Sequence, residues 1–179
     1  MRDKEEILSE NENLKAQIDS LTEQNNKLIQ DQTEYVRLQQ MYNLDQQYTE
    51  YPKIAAEIIS KDPGNWYDTF MINRGSADGI RVDNNVLADK GLVGIVTEVG
   101  THWATVRSII DDSSNVSAMT VSTQDNCVVE GDLELIDEGK LSFSQLYDQN
   151  NKVTVGERIV TSNISEKYVE GLFIGYVSE

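Results

Sequence analysis

The sequence predicts a long N-terminal α-helix (coiled coil) followed by an all-β body of two small antiparallel β-barrels. All 11 glycines and both prolines lie beyond residue 51, whereas Leu14, Leu21 and Leu28 recur at intervals of seven before it. Beyond Pro52 the apolar residues alternate with a period of two, and turn residues separate short apolar segments. The predicted domains are residues 1–51, 52–110 and 111–179.

The first 51 residues carry a heptad pattern. Leucine at position d with asparagine at position a favours a parallel two-stranded coiled coil, because paired asparagines hydrogen-bond across the axis and fix the register. Most a positions here are polar, which predicts weak pairing. The alternative is a single helix that folds back on the body. The residues that we expect to join two helices are Ile7, Leu14, Ile18, Leu21, Asn25 and Leu28.

The end of the helix is predicted at Tyr51, because the residue before a proline is pushed out of the α region. From Ile29 onward the apolar residues leave the first heptad register. This change indicates packing on the body or on a partner rather than one continuous seam.

The remainder reads as short strands joined by turns, a pattern typical of an antiparallel sandwich or barrel. Turns are predicted at Asp62–Asn65, Asp78–Gly79, Asp83–Asn85, Asp111–Asn115 and Gln149–Asn151, and the Asp111 turn is expected to divide two lobes. The predicted strands are Ile54–Ser60, Tyr67–Asn73, Leu92–Val99, Ala104–Ile110, Val116–Ser122, Asn126–Leu133, Lys140–Leu146, Val153–Thr161 and Phe173–Ser178.

The residues that could carry chemistry form no known catalytic or metal-binding pattern. His102 is the only histidine and Cys127 the only cysteine, so no Cys/His ligand set can form. No serine lies in a Gly-x-Ser-x-Gly elbow, and phosphate-binding loops are absent. We therefore expect no enzyme activity, no cofactor and no metal.

The net charge of −16 is spread over the helix and the body. Such a surface repels nucleic acid and anionic headgroups, so we expect no nucleic-acid partner. No apolar run approaches the ~20 residues that span a bilayer. Because the chain enters the helix directly after Met1-Arg2, it resembles a fragment cut from inside a longer protein. A strand that closes the second barrel is expected to lie beyond Glu179.

An ordered series of motifs resembles the MreC family of bacterial rod-shape-determining proteins, and it covers residues 54–178. The motifs that carry the resemblance are Asp62-Pro63-Gly64-Asn65-Trp66-Tyr67, Ile72-Asn73-Arg74-Gly75-Ser76, Asp78-Gly79, Gly91-Leu92-Val93-Gly94, Val155-Gly156-Glu157, Val160-Thr161-Ser162 and Gly171-Leu172.

The resemblance implies one N-terminal transmembrane helix, absent from this chain, then a coiled coil and two β-barrels outside the cytoplasmic membrane. It implies a non-catalytic scaffold of the cell-elongation machinery that self-associates and links MreD, RodZ, MreB and penicillin-binding transpeptidases. Exposed aromatic residues anchor interfaces, so the candidate partner contacts are Trp66, Trp103, Tyr168 and Phe173.

Two other functions stay open at this stage. Acidic and aromatic residues on a β surface are compatible with a peptidoglycan-binding module. The paired barrels are reminiscent of trypsin-like proteases, and His102 with Asp111 or Asp112 would be the remains of a degenerate triad.

Overall fold

A computed structural model describes residues 4–61, 68–89, 91–146 and 153–178 of the 179-residue chain, with the backbone alone at Glu5, Lys61 and Ile136. The chain divides into two compact units, Met1–Tyr51 and Pro52–Glu179. The turns predicted at Asp62–Asn65 and Gln149–Asn151 lie outside the described residues.

The first unit is one helix, which confirms the prediction. Helix α1 spans Lys4–Gln47, 44 residues without glycine or proline. At 1.5 Å per residue it is about 66 Å long. Three turn residues and Tyr51 follow it, and Tyr48 donates its amide to the Leu44 carbonyl over 3.3 Å.

The second unit begins with a five-stranded antiparallel sheet in the order β1-β2-β5-β4-β3. Its core is formed by Ile72, Val96, Ala104 and Val106, which lie on the three central strands and are buried. Alternation of these residues with more exposed ones is what a one-sided core requires. The strands are β1 (Ile58–Lys61), β2 (Thr69–Ile72), β3 (Asn85–Ala88), β4 (Gly91–Val99) and β5 (Ala104–Ser108).

A second five-stranded antiparallel sheet follows, in the order β10-β9-β6-β7-β8. The predicted all-β body is confirmed. Both strand orders are open, so the number of closed barrels and the boundary between them stay predictions. The strands are β6 (Asn115–Thr120), β7 (Asn126–Glu130), β8 (Ser142–Ser144), β9 (Arg158–Thr161) and β10 (Phe173–Tyr176).

Strand β3 was not predicted, and the turn predicted at Asp83–Asn85 is wrong at its last residue. Asn85 pairs with Ile95, and Ala88 pairs with Gly91. Asp83 and Asp89, with φ of 67° and 52°, carry the left-handed conformation that asparagine and aspartate tolerate. Strand β3 has only four residues, which is too short a segment for its apolar residues to show a clear alternation with a period of two.

The Asp111 turn joins β5 of the first sheet to β6 of the second. Asp111 accepts a hydrogen bond from the Ser113 amide at 2.8 Å, and Ser114 donates its hydroxyl to the Ser108 carbonyl at 2.6 Å. The Gly131 amide donates to the Ser114 carbonyl at 3.0 Å. Side-chain and backbone bonds together therefore fix the path of the chain between the two sheets.

The Val155-Gly156-Glu157 motif forms the turn before β9. Gly156 has φ of 90°, a conformation that a side chain would strain. The buried Glu157 carboxylate accepts hydrogen bonds from the hydroxyl and, at 3.2 Å, the amide of Ser122. These hydrogen bonds lower the pKa of Glu157 below its ordinary value of 4.5 and tie this turn to the end of β6.

Glu157→Gln is expected to lower the free energy of unfolding at neutral pH by about 1–3 kcal/mol, because a charge-assisted acceptor is lost. The folded-state pKa lies below 4.5, so this contribution is complete above that pH and disappears as pH falls through the lowered pKa. Urea unfolding at neutral pH and at acid pH measures it. The exposed Glu170→Gln is the matched control, and a wild-type advantage independent of pH would contradict the assignment.

Candidate functional site

The helix presents the predicted pairing residues to solvent within the single chain. Their exposed fractions run from 51% at Ile7 to 66% at Leu28, and Asn25 is also exposed. A side chain of this size normally loses most of its exposure in a folded protein. The described helix thus carries an exposed apolar column, and pairing through it stays a prediction. The column comprises Ile7, Leu14, Ile18, Leu21 and Leu28.

More apolar residues follow on the same helix, and only the two tyrosines among them keep the first register. Ile29, Val36 and Met41 are exposed, as are Tyr35 and Tyr42. Exposed apolar residues therefore occur along most of the helix, among a majority of polar residues. Exposed apolar residues of this kind are typical of a helix that packs against another surface.

The aromatic residues predicted to contact partners differ in how much surface they offer. Trp66 lies outside the described residues. Trp103 is half-buried at the start of β5 and covers Gly100, where an added Cβ would lie 2.3 Å from its indole ring. Tyr168 is 8% exposed, and burial raises the pKa of its phenol. Its role as a partner contact stays a prediction, with little surface available for it.

The segment that holds the buried Tyr168 is hydrogen-bonded to β3. The side-chain amide of Asn85 donates to the Lys167 carbonyl at 2.8 Å and accepts from the Val169 amide at 2.8 Å. The Asn85 side chain thus makes the two hydrogen bonds, one donated and one accepted, that the backbone of a neighbouring strand would make. Nothing in the local sequence shows it, because the partners are 82 and 84 residues apart.

Phe173 is half-buried and lies at the centre of a small surface cluster. The guanidinium of Arg158 lies 4.8 Å from the centroid of the Phe173 ring. The Tyr176 ring packs against Phe173 with centroids 5.1 Å apart and an angle of 59°. Arg158 and Tyr176 are directly opposite in the β9–β10 pair, and both are exposed. We call Arg158, Phe173 and Tyr176 the Arg158 cluster.

The backbone beneath the Arg158 cluster is packed against the first sheet. A Cβ added at Gly91 would lie 2.4 Å from the Phe173 carbonyl oxygen and 3.0 Å from its ring. Gly91 belongs to β4, so both sheets contribute to the position of Phe173. The Gly91-Leu92-Val93-Gly94 motif thus has a packing role beside the cluster.

A groove of about 160 Å³ opens between β8 and β10, the two edge strands of the second sheet. Its apolar lining includes Val129, Phe143, Ile159 and Ile174, and Tyr176 belongs to both the groove and the Arg158 cluster. The groove has room for one or two apolar side chains. It is too small for the ligands that enzymes usually enclose, which need ~300 Å³ or more.

The residues considered for catalysis are not assembled into a site. His102 is exposed in the turn between β4 and β5, and no hydrogen bond joins its ring to another described side chain. Asp111 instead accepts the hydroxyl of Ser113. Among the described residues no group of three or more His, Cys, Asp or Glu is placed to hold a metal ion. Burial raises the pKa of the Cys127 thiol to about 11.

The described part of the chain, residues 4–61, 68–89, 91–146 and 153–178, bears on a membrane anchor only through its helices. None of the helices described there is both long enough and apolar enough to cross a bilayer.

Comparison with known proteins identifies the family. Residues 58–179, which include both sheets, match "Rod shape-determining protein MreC, barrel core". The chain belongs to the MreC family. It is 27% identical over 177 residues to the cell shape-determining protein MreC of Listeria monocytogenes, and the match covers 96% of this chain and 58% of that protein.

Solved MreC structures have the same fold. MreC from Listeria monocytogenes matches with a TM-score of 0.64 and 28% identity, over 95% of this chain and 81% of that one. A chain of a complex between the penicillin-binding protein PBP2 and MreC from Helicobacter pylori matches with a TM-score of 0.55, over 69% and 75%. At 13% identity the second match shows the MreC fold alone.

Sequence reasoning missed Arg158 and Tyr176. Each is a single exposed residue on a short strand, and neither belongs to a motif that marks the MreC family above. The only local signal is the Arg-x-Val-Thr and Phe-x-Gly-Tyr alternation, which places them on strands without saying which strands pair. Their contact depends on the antiparallel register of β9 and β10.

Proposed function

We propose that this chain is a non-catalytic scaffold of the bacterial cell-elongation machinery, which holds a penicillin-binding transpeptidase and helps to maintain cell shape. The observation that carries the proposal is the match of residues 58–179 to the MreC barrel core. The Helicobacter pylori relative, whose fold is similar, is found in a complex with a penicillin-binding protein. The lack of an assembled catalytic site among the described residues agrees with a binding role.

The helix supplies the second part of the proposal. In a parallel coiled coil, two copies would bury the column of Leu14, Leu21 and Leu28 against each other, with Asn25 fixing the register. Because the two helices would run parallel, both β bodies would follow the C-terminal end of the pair. The support is the exposure of this column along the described helix.

The other partners and the location follow from the family and belong to the proposal. We expect MreD, RodZ and MreB to be linked through the full-length protein. The body would lie on the extracytoplasmic side of the cytoplasmic membrane, anchored by a helix outside residues 1–179. The body has 10 basic and 20 acidic residues beyond Tyr51, and this negative charge fits a body that stays off anionic headgroups.

Binding to the transpeptidase tests the proposal directly. The chain is immobilised, and the extracytoplasmic part of the elongation-specific penicillin-binding transpeptidase of the same bacterium is passed over it. We expect saturable binding with one transpeptidase per chain, measured by surface plasmon resonance. An unrelated acidic coiled-coil protein is the control. Binding no stronger than to that control would refute the transpeptidase-holding role.

A further inference from the structure

The side chain of Arg158 differs from those of Arg37, Arg74 and Lys140, which form ion pairs. Arg37, Arg74 and Lys140 each lie within 4.0 Å of a carboxylate oxygen, at 2.7, 4.0 and 3.0 Å. Arg158 forms no such pair in the described part of the chain, and its side-chain contact there is the face of Phe173. Its guanidinium donors are therefore available to a ligand.

The cluster holds this guanidinium in a defined place. Stacking on the Phe173 ring restricts the long arginine side chain, so less conformational entropy is lost when a ligand binds. Tyr176 packs on Phe173 and is 66% exposed, which leaves a large apolar ring face with a polar tip beside the cation. Arginine and tyrosine on one patch are the residues that most often dominate protein interfaces.

We propose that the Arg158 cluster is the docking surface for a partner protein segment that presents an aspartate or glutamate carboxylate next to an apolar side chain. The inference rests on the proposed function, since that segment would belong to the transpeptidase. The carboxylate binds the planar guanidinium through two parallel hydrogen bonds. The apolar side chain packs on Tyr176, beside the groove between β8 and β10.

Charge favours this occupant over other anions. The chain carries −16 overall, so a polyanion such as nucleic acid or a lipid surface is repelled before it reaches one arginine. A single carboxylate in an apolar segment avoids most of that repulsion, because it carries only one negative charge. Burial of the apolar part against Phe173 and Tyr176 supplies the remaining affinity.

The test compares transpeptidase binding by four variants of this chain. Arg158→Glu should weaken binding by roughly tenfold or more, because a carboxylate then faces a carboxylate. Arg158→Lys keeps the charge but loses the planar fork and should weaken binding by roughly threefold to tenfold. Tyr176→Ser should weaken it by roughly tenfold. Arg81→Glu, at an exposed arginine of the first lobe, is the matched control and should change affinity less than about twofold.

Each outcome decides between the two proposals. Wild-type binding that survives Arg158→Glu and Tyr176→Ser overturns the docking surface and leaves the scaffold function standing. An equal loss in Arg158→Glu and Arg81→Glu shows general electrostatics and also overturns it. Absence of wild-type binding refutes the transpeptidase-holding role and the docking surface with it. Arg158-dependent co-sedimentation with purified peptidoglycan, without an effect on transpeptidase binding, assigns the cluster to glycan instead. Circular dichroism confirms folding, which is expected since Arg158 and Tyr176 are exposed.

Discussion

Leu14→Asp combined with Leu21→Asp is expected to convert a dimer into a monomer, with a fall in molar mass to the 20.2 kDa of one chain. In the proposed coiled coil each leucine is buried, which contributes about 1.5–3 kcal/mol per side chain. The double substitution removes that burial and puts four carboxylates into the seam of the pair. Unpaired buried charges cost several kcal/mol each, so a weak, largely polar seam cannot tolerate them. Sedimentation equilibrium measures the change.

Ser9→Asp combined with Ala16→Asp is the matched control. These residues occupy position f of the same heptads, seven residues apart on the outer face, and both are exposed. They add the same charge to the same helix without entering the seam, so the dimer should persist. The β signature in circular dichroism should be unchanged in both double variants. A wild-type chain of 20.2 kDa would show that the seam does not pair alone, and a dimer that survives Leu14→Asp with Leu21→Asp would place the interface elsewhere.

Gly131→Ala is expected to be the most damaging single substitution in the β body. A Cβ at this position would lie 1.9 Å from the Asp111 carbonyl oxygen and 2.8 Å from the Ile110 carbonyl carbon. Both atoms belong to the backbone between β5 and β6, which is itself hydrogen-bonded and cannot shift without losing those bonds. Forced overpacking typically costs about 1–3 kcal/mol and more when backbone must move, so we expect a loss of about 3 kcal/mol.

Thermal and urea unfolding measure this loss. Gly175→Ala is the matched control, since an added Cβ there meets no atom within 4 Å and the residue has no positive φ. We expect its free energy of unfolding to change by less than about 0.5 kcal/mol. If the two glycine variants unfold alike, the close approach of Gly131 to the Asp111 turn does not restrain the body.

Patterns that repeat within a few residues were enough to predict most elements. Heptads and the absence of glycine predicted α1, and alternation predicted nine of the ten strands, of which all but β4 are shorter than expected. Strand β9 illustrates the difference. Val153–Glu157 continues the alternation, but Gly156 bends the chain and Glu157 is used to bind Ser122. Local patterns therefore located the strands and left their ends undetermined.

Contacts between distant residues account for what sequence reasoning missed. Asn85 reads as a turn residue, yet its amide binds the Lys167–Val169 backbone and its own backbone belongs to β3. Tyr168 reads as an interface aromatic and is buried within the segment that Asn85 binds. Arg158 acquires its place only through the pairing of β9 with β10. Each of these depends on which strands become neighbours, and periodicity carries no information about that.

The order of the strands along the chain has a consequence for biosynthesis. Each pairing of the first sheet joins residues within 58–108, and each pairing of the second joins residues within 115–176. Among the described strands, no ladder joins one sheet to the other. Because domains fold as the chain emerges, the first sheet can complete every ladder while the second is still being synthesised. The late segment Lys167–Phe173 then docks on a finished surface at Asn85 and Gly91.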